Sequence, residues 1–239
     1  MKRVTKCGKL AVILIVAFLI IPGVLTAQQF RAEGQAGLNL FSLSDPVFSA
    51  TVDSAAVGGT ADFEADLDHK SALQIGAYGG YDLGGIEIGA EVHFSSSGGD
   101  TNDFSVDGTT APDTAGDYDF KYFKVGPVLR YYFASANPQI VPFAGAAVDY
   151  ANATSDSNEE DVSLEISQGY LGIGLFGGAN YWVQDNLYVG GMARVDYYTT
   201  ISDDSVSVAD FFGDPADFTG ITSSGWMPLS IFFVVGTVF

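Results

Sequence analysis

The sequence predicts an all-β chain closed into an eight-stranded antiparallel transmembrane up-and-down β-barrel. Three observations predict it. Eight segments alternate apolar and polar side chains with period two, the periodicity of a strand. The connections between them are by turns long and short. The chain also stops on an aromatic in mid-alternation: stepping back by twos from Phe239 gives Thr237, Val235, Phe233, Ile231, Leu229 and Met227. A soluble protein seldom ends in mid-strand on an exposed Phe, whereas a closed barrel needs its last strand to pair with its first.

The N-terminus is of another kind. Lys2, Arg3, Lys6 and Lys9 precede the apolar run Leu10–Ile21, and Leu25-Thr-Ala27 follows. A basic start, a short apolar core and a small residue before Gln28 predict a secretory signal peptide over residues 1–27, with the barrel domain over 28–239. That apolar core is short for a membrane-spanning helix. The one cysteine, Cys7, leaves with the leader, so disulfides, thiol nucleophiles and cysteine-based zinc sites are excluded from the remainder. So are four of the ten basic residues, leaving six against 29 acids. Nucleic acid, whose phosphates need basic neutralisation, is excluded as a partner.

The first predicted strand, Phe30–Phe41, places Phe30, Ala32, Gly34, Ala36, Leu38 and Leu40 opposite Arg31, Glu33, Gln35 and Asn39. A polar stretch, 42–70, carries Asp45, Asp53, Asp62, Glu64, Asp66 and Asp68. Ser71–Asp82 and Ile86–Ser95 form a hairpin about Gly84-Gly85, as tight turns require. A second acidic connection, 96–118, leads to Asp119–Phe133, which turns at Ala134–Gln139 into Ile140–Ala151. The third long connection contains Asp156-Ser-Asn-Glu-Glu-Asp161. Gln168–Val183 and Leu187–Thr199 form the next hairpin, and upstream of it Leu164 and Ile166 sit on the wrong parity, predicting a bulge or a rim extension. A last acidic connection, 200–225, leads to Trp226–Phe239.

Strands of this length, tilted by roughly 45°, cross a hydrocarbon core of about 30 Å. Short turns on one side and long connections on the other are the asymmetry of an outer-membrane barrel. Aromatics gather at the strand ends: Tyr81, Tyr131, Phe133, Tyr181 and Phe239 at the short-turn end, with Phe94, Phe123, Tyr150, Tyr197 and Trp226 at the other. They are expected to form interfacial girdles, Trp226 only if the strand slips at the rim. A soluble sandwich also alternates, but its outer face would carry ordinary Lys and Glu. Here the non-apolar face is rich in Gly and Tyr.

Gly126-Pro-Val-Leu-Arg-Tyr-Tyr-Phe133, Pro142-Phe-Ala-Gly-Ala146 and Gly177-Gly-Ala-Asn-Tyr-Trp-Val-Gln-Asp-Asn-Leu187 resemble the small eight-stranded outer-membrane barrels of the OmpA and OmpW type. The C-terminal positions Ile231, Phe233, Val235 and Phe239 resemble the assembly signal of such barrels. The resemblance implies an outer-membrane location reached through the periplasm, contact with outer-membrane lipids and lipopolysaccharide, and the barrel-assembly machinery as a partner. A non-enzymatic structural or surface-interaction role through the long acidic connections is expected, in a monomer. Resemblance to OmpW implies an alternative, a narrow channel for small apolar molecules.

Catalysis has one candidate pair. Val92-His-Phe-Ser-Ser-Ser97 is loosely similar to the His-x-Ser of barrel lipid A deacylases, with Ser96 where that motif has Asn. Parity puts His93 and Ser95 in the lumen, away from acyl chains, so no catalytic residue is assigned. Asp156-x-Asn158-x-Glu160 begins like a calcium loop, but Asp161 and Ser167 stand where Gly and Glu are needed. No cofactor or metal site is predicted. Loose divalent cation bridging between the acidic connections and lipopolysaccharide phosphates is an expectation of charge alone.

The bases point to the interior. Arg31, Lys124, Arg130 and Arg194 fall on the inward parity, as do Glu33, Glu87, Glu91, Asp149 and Asp196. An ionic network is therefore expected to close the lumen, built from Glu33, Glu87, Glu91, Lys124, Arg130 and Arg194. Arg130 is its expected lower anchor, paired with Glu87, and Glu91 is expected near Lys124 and Arg194. Tyr78, Tyr132, Phe143, Tyr170, Phe176, Tyr188 and Phe232 share that face, and an eight-stranded interior is just wide enough for side chains to fill.

Overall fold

A computed structural model describes residues 29–43, 47–54, 59–69, 71–106, 109–110, 117–159, 162–201, 204–211 and 214–239. The predicted leader lies outside them. The described chain is all β: β1 (Phe30–Ser42), β2 (Val47–Ser54), β3 (Gly59–His69), β4 (Ala72–Asp82), β5 (Ile86–Val106), β6 (Thr109–Thr110), β7 (Asp117–Tyr132), β8 (Ile140–Glu159), β9 (Val162–Gln184), β10 (Leu187–Thr200), β11 (Asp204–Phe211), β12 (Asp214–Trp226) and β13 (Pro228–Val238).

Eight of these form a closed antiparallel ring, in the order β1, β4, β5, β7, β8, β9, β10, β13 and back to β1. Closure is tight at the C-terminus. Arg31 pairs with Val238, and the Phe239 amide donates to the Phe30 carbonyl at 2.9 Å. At the short-turn end, Asp82 Oδ1 accepts the amides of Gly84 (2.8 Å) and Gly85 (2.9 Å). Both glycines have positive φ, 91° and 94°, which a side chain would resist.

The barrel is inside out relative to a soluble protein. Leu73 (63% exposed), Ile173 (57%) and Leu175 (65%) stand on the outer wall, while Lys124, Arg130 and Arg194 are at most 1% exposed within it. That distribution fits a wall solvated by hydrocarbon. Tyr131, Phe133, Tyr181 and Phe239 are exposed at the short-turn end, and Phe94, Phe123 and Tyr197 at the other.

The long connections depart from expectation. Residues 42–70 and 200–225 contain paired strands, and 96–118 and the third connection are taken up largely by extensions of β5, β7, β8 and β9. β3 pairs with β5 where β4 leaves off, and β2 pairs with β12. The barrel wall thus continues past its apolar band. At ~3.3 Å per residue and ~45° tilt, the 23 residues of β9 stand about 50 Å tall against a hydrocarbon core of about 30 Å. In this extension the polarity reverts to that of a soluble wall: Ala50 and Ala61 are buried, while Asp53, Asp62 and Glu64 are exposed.

That continuation explains Leu164 and Ile166. β9 runs through them with unbroken register to β8, so the rim extension forms and the bulge does not. Trp226 corrects a second expectation. It pairs with Tyr198 and is 3% exposed; the register does shift beside it, between Tyr198 and Thr199, yet its side chain stays inward, so it belongs to the lumen rather than the girdle.

Candidate functional site: a two-tier ionic lumen

The side chains that alternation sends inward stack in layers. Nearest the short turns lies the first ionic tier. Arg130 grips Glu33 with both terminal nitrogens, Nη1 to Oε1 at 2.5 Å and Nη2 to Oε2 at 3.1 Å. Arg31 Nε donates to Glu87 Oε2 at 2.6 Å. Tyr188 donates to Glu33 (2.6 Å), and Tyr78 and Tyr132 donate to Glu87 (2.7 and 3.2 Å). Two cations and two carboxylates therefore balance, and donors crowd both carboxylates. The guanidiniums also lie over aromatic faces, Arg130 over Tyr78 and Phe143 (4.4 and 4.7 Å), Arg31 over Tyr132 and Tyr188 (4.5 and 5.0 Å). Planar guanidinium suits this combination of forked donation and stacking, which an ammonium would not supply.

An apolar layer follows, Val128, Phe143, Phe176, Met192, Phe232 and Val234. Above it is the second ionic tier. Arg194 reaches three carboxylates at once: Nη1 to Glu91, Nη2 to Asp149, and Nε to Asp196 at 2.7 Å. Lys124 Nζ donates to the other oxygen of Asp196 at 3.0 Å. His93 Nε2 lies 3.4 Å from Glu91 Oε2. A cap closes over this tier. Tyr198 stacks on Trp226 at 4.8 Å, with Tyr122 and Tyr170 edge-on to the same indole at 5.3 and 6.4 Å.

All six residues expected to form an ionic network lie buried in the lumen, in two tiers. The network also draws in residues outside those six. Glu87 and Arg130 are direct register partners and form an ion pair at 3.6 Å, while Arg130 makes its shorter, forked contact to Glu33 across the barrel. Glu87 is held by Arg31, which was not among those six. Glu91 meets Arg194, but Lys124 binds Asp196 and approaches Asp149 at 3.9 Å. Geometry gives the reason: a long side chain satisfies a carboxylate across the lumen better than beside its own Cα.

His93 and Ser95 are both buried on the lumen face, with Ser95 Oγ donating to the Leu73 carbonyl at 3.2 Å. Among the described residues no group of His, Cys, Asp and Glu converges to hold a metal ion. The expected assembly residues Ile231, Phe233, Val235 and Phe239 are all on the exposed outer face, and the Phe239 ring lies 6.2 Å from that of Phe30.

A closed wall, apolar outside and ionic within, defines an integral outer-membrane β-barrel. The chain belongs to the outer membrane protein beta-barrel domain family, whose model matches residues 15–214. No curated protein matches it. Among solved structures, a major outer membrane protein from Thermus thermophilus aligns with TM-score 0.52 at 14% identity, over 90% of this chain and 100% of that one. The outer membrane protease OmpT from Escherichia coli aligns with TM-score 0.50 at 11% identity, over 90% and 99%. At such identities the likeness is one of fold. The protein is thus located in the outer membrane.

Proposed function

We propose that this barrel is a non-enzymatic surface protein, presenting the extension of its wall beyond the membrane to lipopolysaccharide and external partners. The observation that carries this is the continuation of paired strands beyond the apolar band, with Asp53, Asp62 and Glu64 exposed on it. The register supports an electrostatic role. Asp68, Asp100 and Asp117 are consecutive cross-strand partners, as are Asp119, Asp156 and Glu165, and Asp53 pairs with Asp217. Like charges directly opposite each other are destabilising. Divalent cations bridging these rows to lipopolysaccharide phosphates would relieve that repulsion.

The lumen supports a role without turnover or conduction. His93 and Ser95 face a packed interior and cannot meet an acyl chain in the bilayer. The barrel acts as a monomer, folded through the barrel-assembly machinery after export by its leader.

Protease shaving of intact cells tests the orientation. Cleavage is expected only in the wall extension beyond the apolar band, leaving the membrane-embedded strands whole; cleavage only after the outer membrane is opened would sink the proposal. In lipopolysaccharide bilayers, removing calcium should speed unfolding of the native barrel. The same removal should have a smaller effect on Asp100→Asn/Asp156→Asn. Lipid A from cells overproducing the protein should have unchanged mass, and a deacylated species absent with His93→Ala would restore an enzyme.

A further inference from the structure

The second ionic tier does not balance its charge. Glu91, Asp149 and Asp196 face Lys124 and Arg194, and all five side chains are at most 4% exposed. With His93 neutral, three carboxylates stand against two cations inside a wall sheathed in hydrocarbon. An uncompensated charge there is costly. The first tier has no such surplus.

Donors are shared unevenly among the three. Asp196 receives Arg194 on Oδ1 and Lys124 on Oδ2. Glu91 receives Arg194 on Oε1 and faces His93 with Oε2. Asp149 receives Arg194 on Oδ2, but its Oδ1 is buried and meets no donor. A bare, buried carboxylate oxygen is the natural seat for a proton, because the neutral acid loses least by lacking donors. His93 is a poorer seat. Its Nε2 lies 3.4 Å from Glu91 Oε2, but it stands across the ladder from Lys124, so charging it would set two cations side by side, and its Nδ1 meets no acceptor. The charged and titratable groups of this tier and of the cap above it are Glu91 and His93 from β5, Lys124 and Tyr122 from β7, Tyr170 from β9, and Arg194, Asp196 and Tyr198 from β10. On β9 the partner of Asp149 is Gly172.

We infer that the second tier is a proton-binding site, with one proton resident on Asp149 Oδ1 so that the lumen is neutral. Loss of that proton leaves one surplus negative charge between the apolar layer and the Tyr198–Trp226 cap. A folded state that holds a proton its unfolded chain has released loses stability as pH rises. The lumen therefore couples barrel stability to pH.

Infrared spectroscopy of the folded barrel in lipid bilayers tests this without any substitution. A carboxylic-acid C=O stretch is expected at neutral pH, far above about 4, where a free aspartate ionises. It should shift on isotopic labelling of aspartate and disappear in Asp149→Asn. Equilibrium unfolding supplies an independent measurement. Relative to Asp149→Asn, the folded-to-unfolded ratio of the native protein should fall by up to about tenfold per pH unit above about 4, until the proton is lost. His93→Gln should retain both the band and that pH dependence. Absence of the band from the native protein overturns the inference. A band that shifts only with labelled glutamate, or a pH dependence abolished by His93→Gln and kept by Asp149→Asn, overturns the assignment to Asp149.

Discussion

Arg130 shows how a charge can be kept in a membrane-spanning wall. Its two terminal nitrogens fork onto Glu33, its guanidinium carbon lies over the rings of Tyr78 and Phe143, and Tyr132 Oη accepts from Nη1 at 3.1 Å. Removing it strands Glu33, which is 4% exposed, and leaves the tier one cation short. Arg130→Ala is expected to destabilise the barrel by about 3–5 kcal/mol in denaturant titrations, since one partner of a buried pair is left uncompensated. A double-mutant cycle with Glu33→Gln should show coupling well above that with Glu87→Gln, whose charged oxygen is 3.6 Å away. Equal coupling would contradict the geometry. Alternation alone identifies Arg130, Glu33 and Glu87 as interior, because parity is a local property of the chain. It does not reveal which of them touch. That depends on how the ring staggers its strands and on how far each side chain reaches across the lumen, and neither is written in any one segment.

At the scale of strands, aromatic rings lie over glycines of the neighbouring strand. Tyr198 pairs with Gly172, Tyr188 with Gly236, Phe176 with Gly145 and Phe232 with Gly37. A Cβ at Gly172 would run into the Tyr198 ring. Gly172→Leu should therefore cost about 1–3 kcal/mol by overpacking. Much of that should return with Tyr198→Ala, whose hydroxyl has no hydrogen-bond partner to lose. Denaturant titration of the single and double variants checks both. Lipid-facing strands are easy to recognise because their contrast is high, Leu and Ile against Gly and charge. The wall extension is not, because Ser, Thr, Asp, Gly and Ala alternate with little contrast, and past the apolar band the inner face becomes the apolar one. Residues 42–70 thus look like a polar connection while forming a hairpin. Closure depends on the last strand. Phe239→Asp should abolish the folded, heat-modifiable form on gels of membrane fractions and leave a protease-sensitive periplasmic species; normal yield would show that the terminal aromatic is dispensable.

For the whole molecule, ionic tiers alternate with an apolar layer and an aromatic cap across the lumen. Planar bilayers containing the native barrel are expected to show no stable open-pore conductance steps, and regular porin-like steps would contradict a lumen filled in this way. The contacts that fill it join parts of the chain far apart: Arg31 to Glu87 spans 56 residues, Arg130 to Glu33 97, Arg194 to Glu91 103, and Tyr188 to Glu33 155. Contacts of such long range slow folding, since chain entropy is lost before they form. A sheet missing even β13 would leave Glu33 and Arg130 on an open, lipid-accessible face. Insertion therefore has no stable halfway house, and the barrel should enter the membrane as a single cooperative event, its interior assembled as its seam closes.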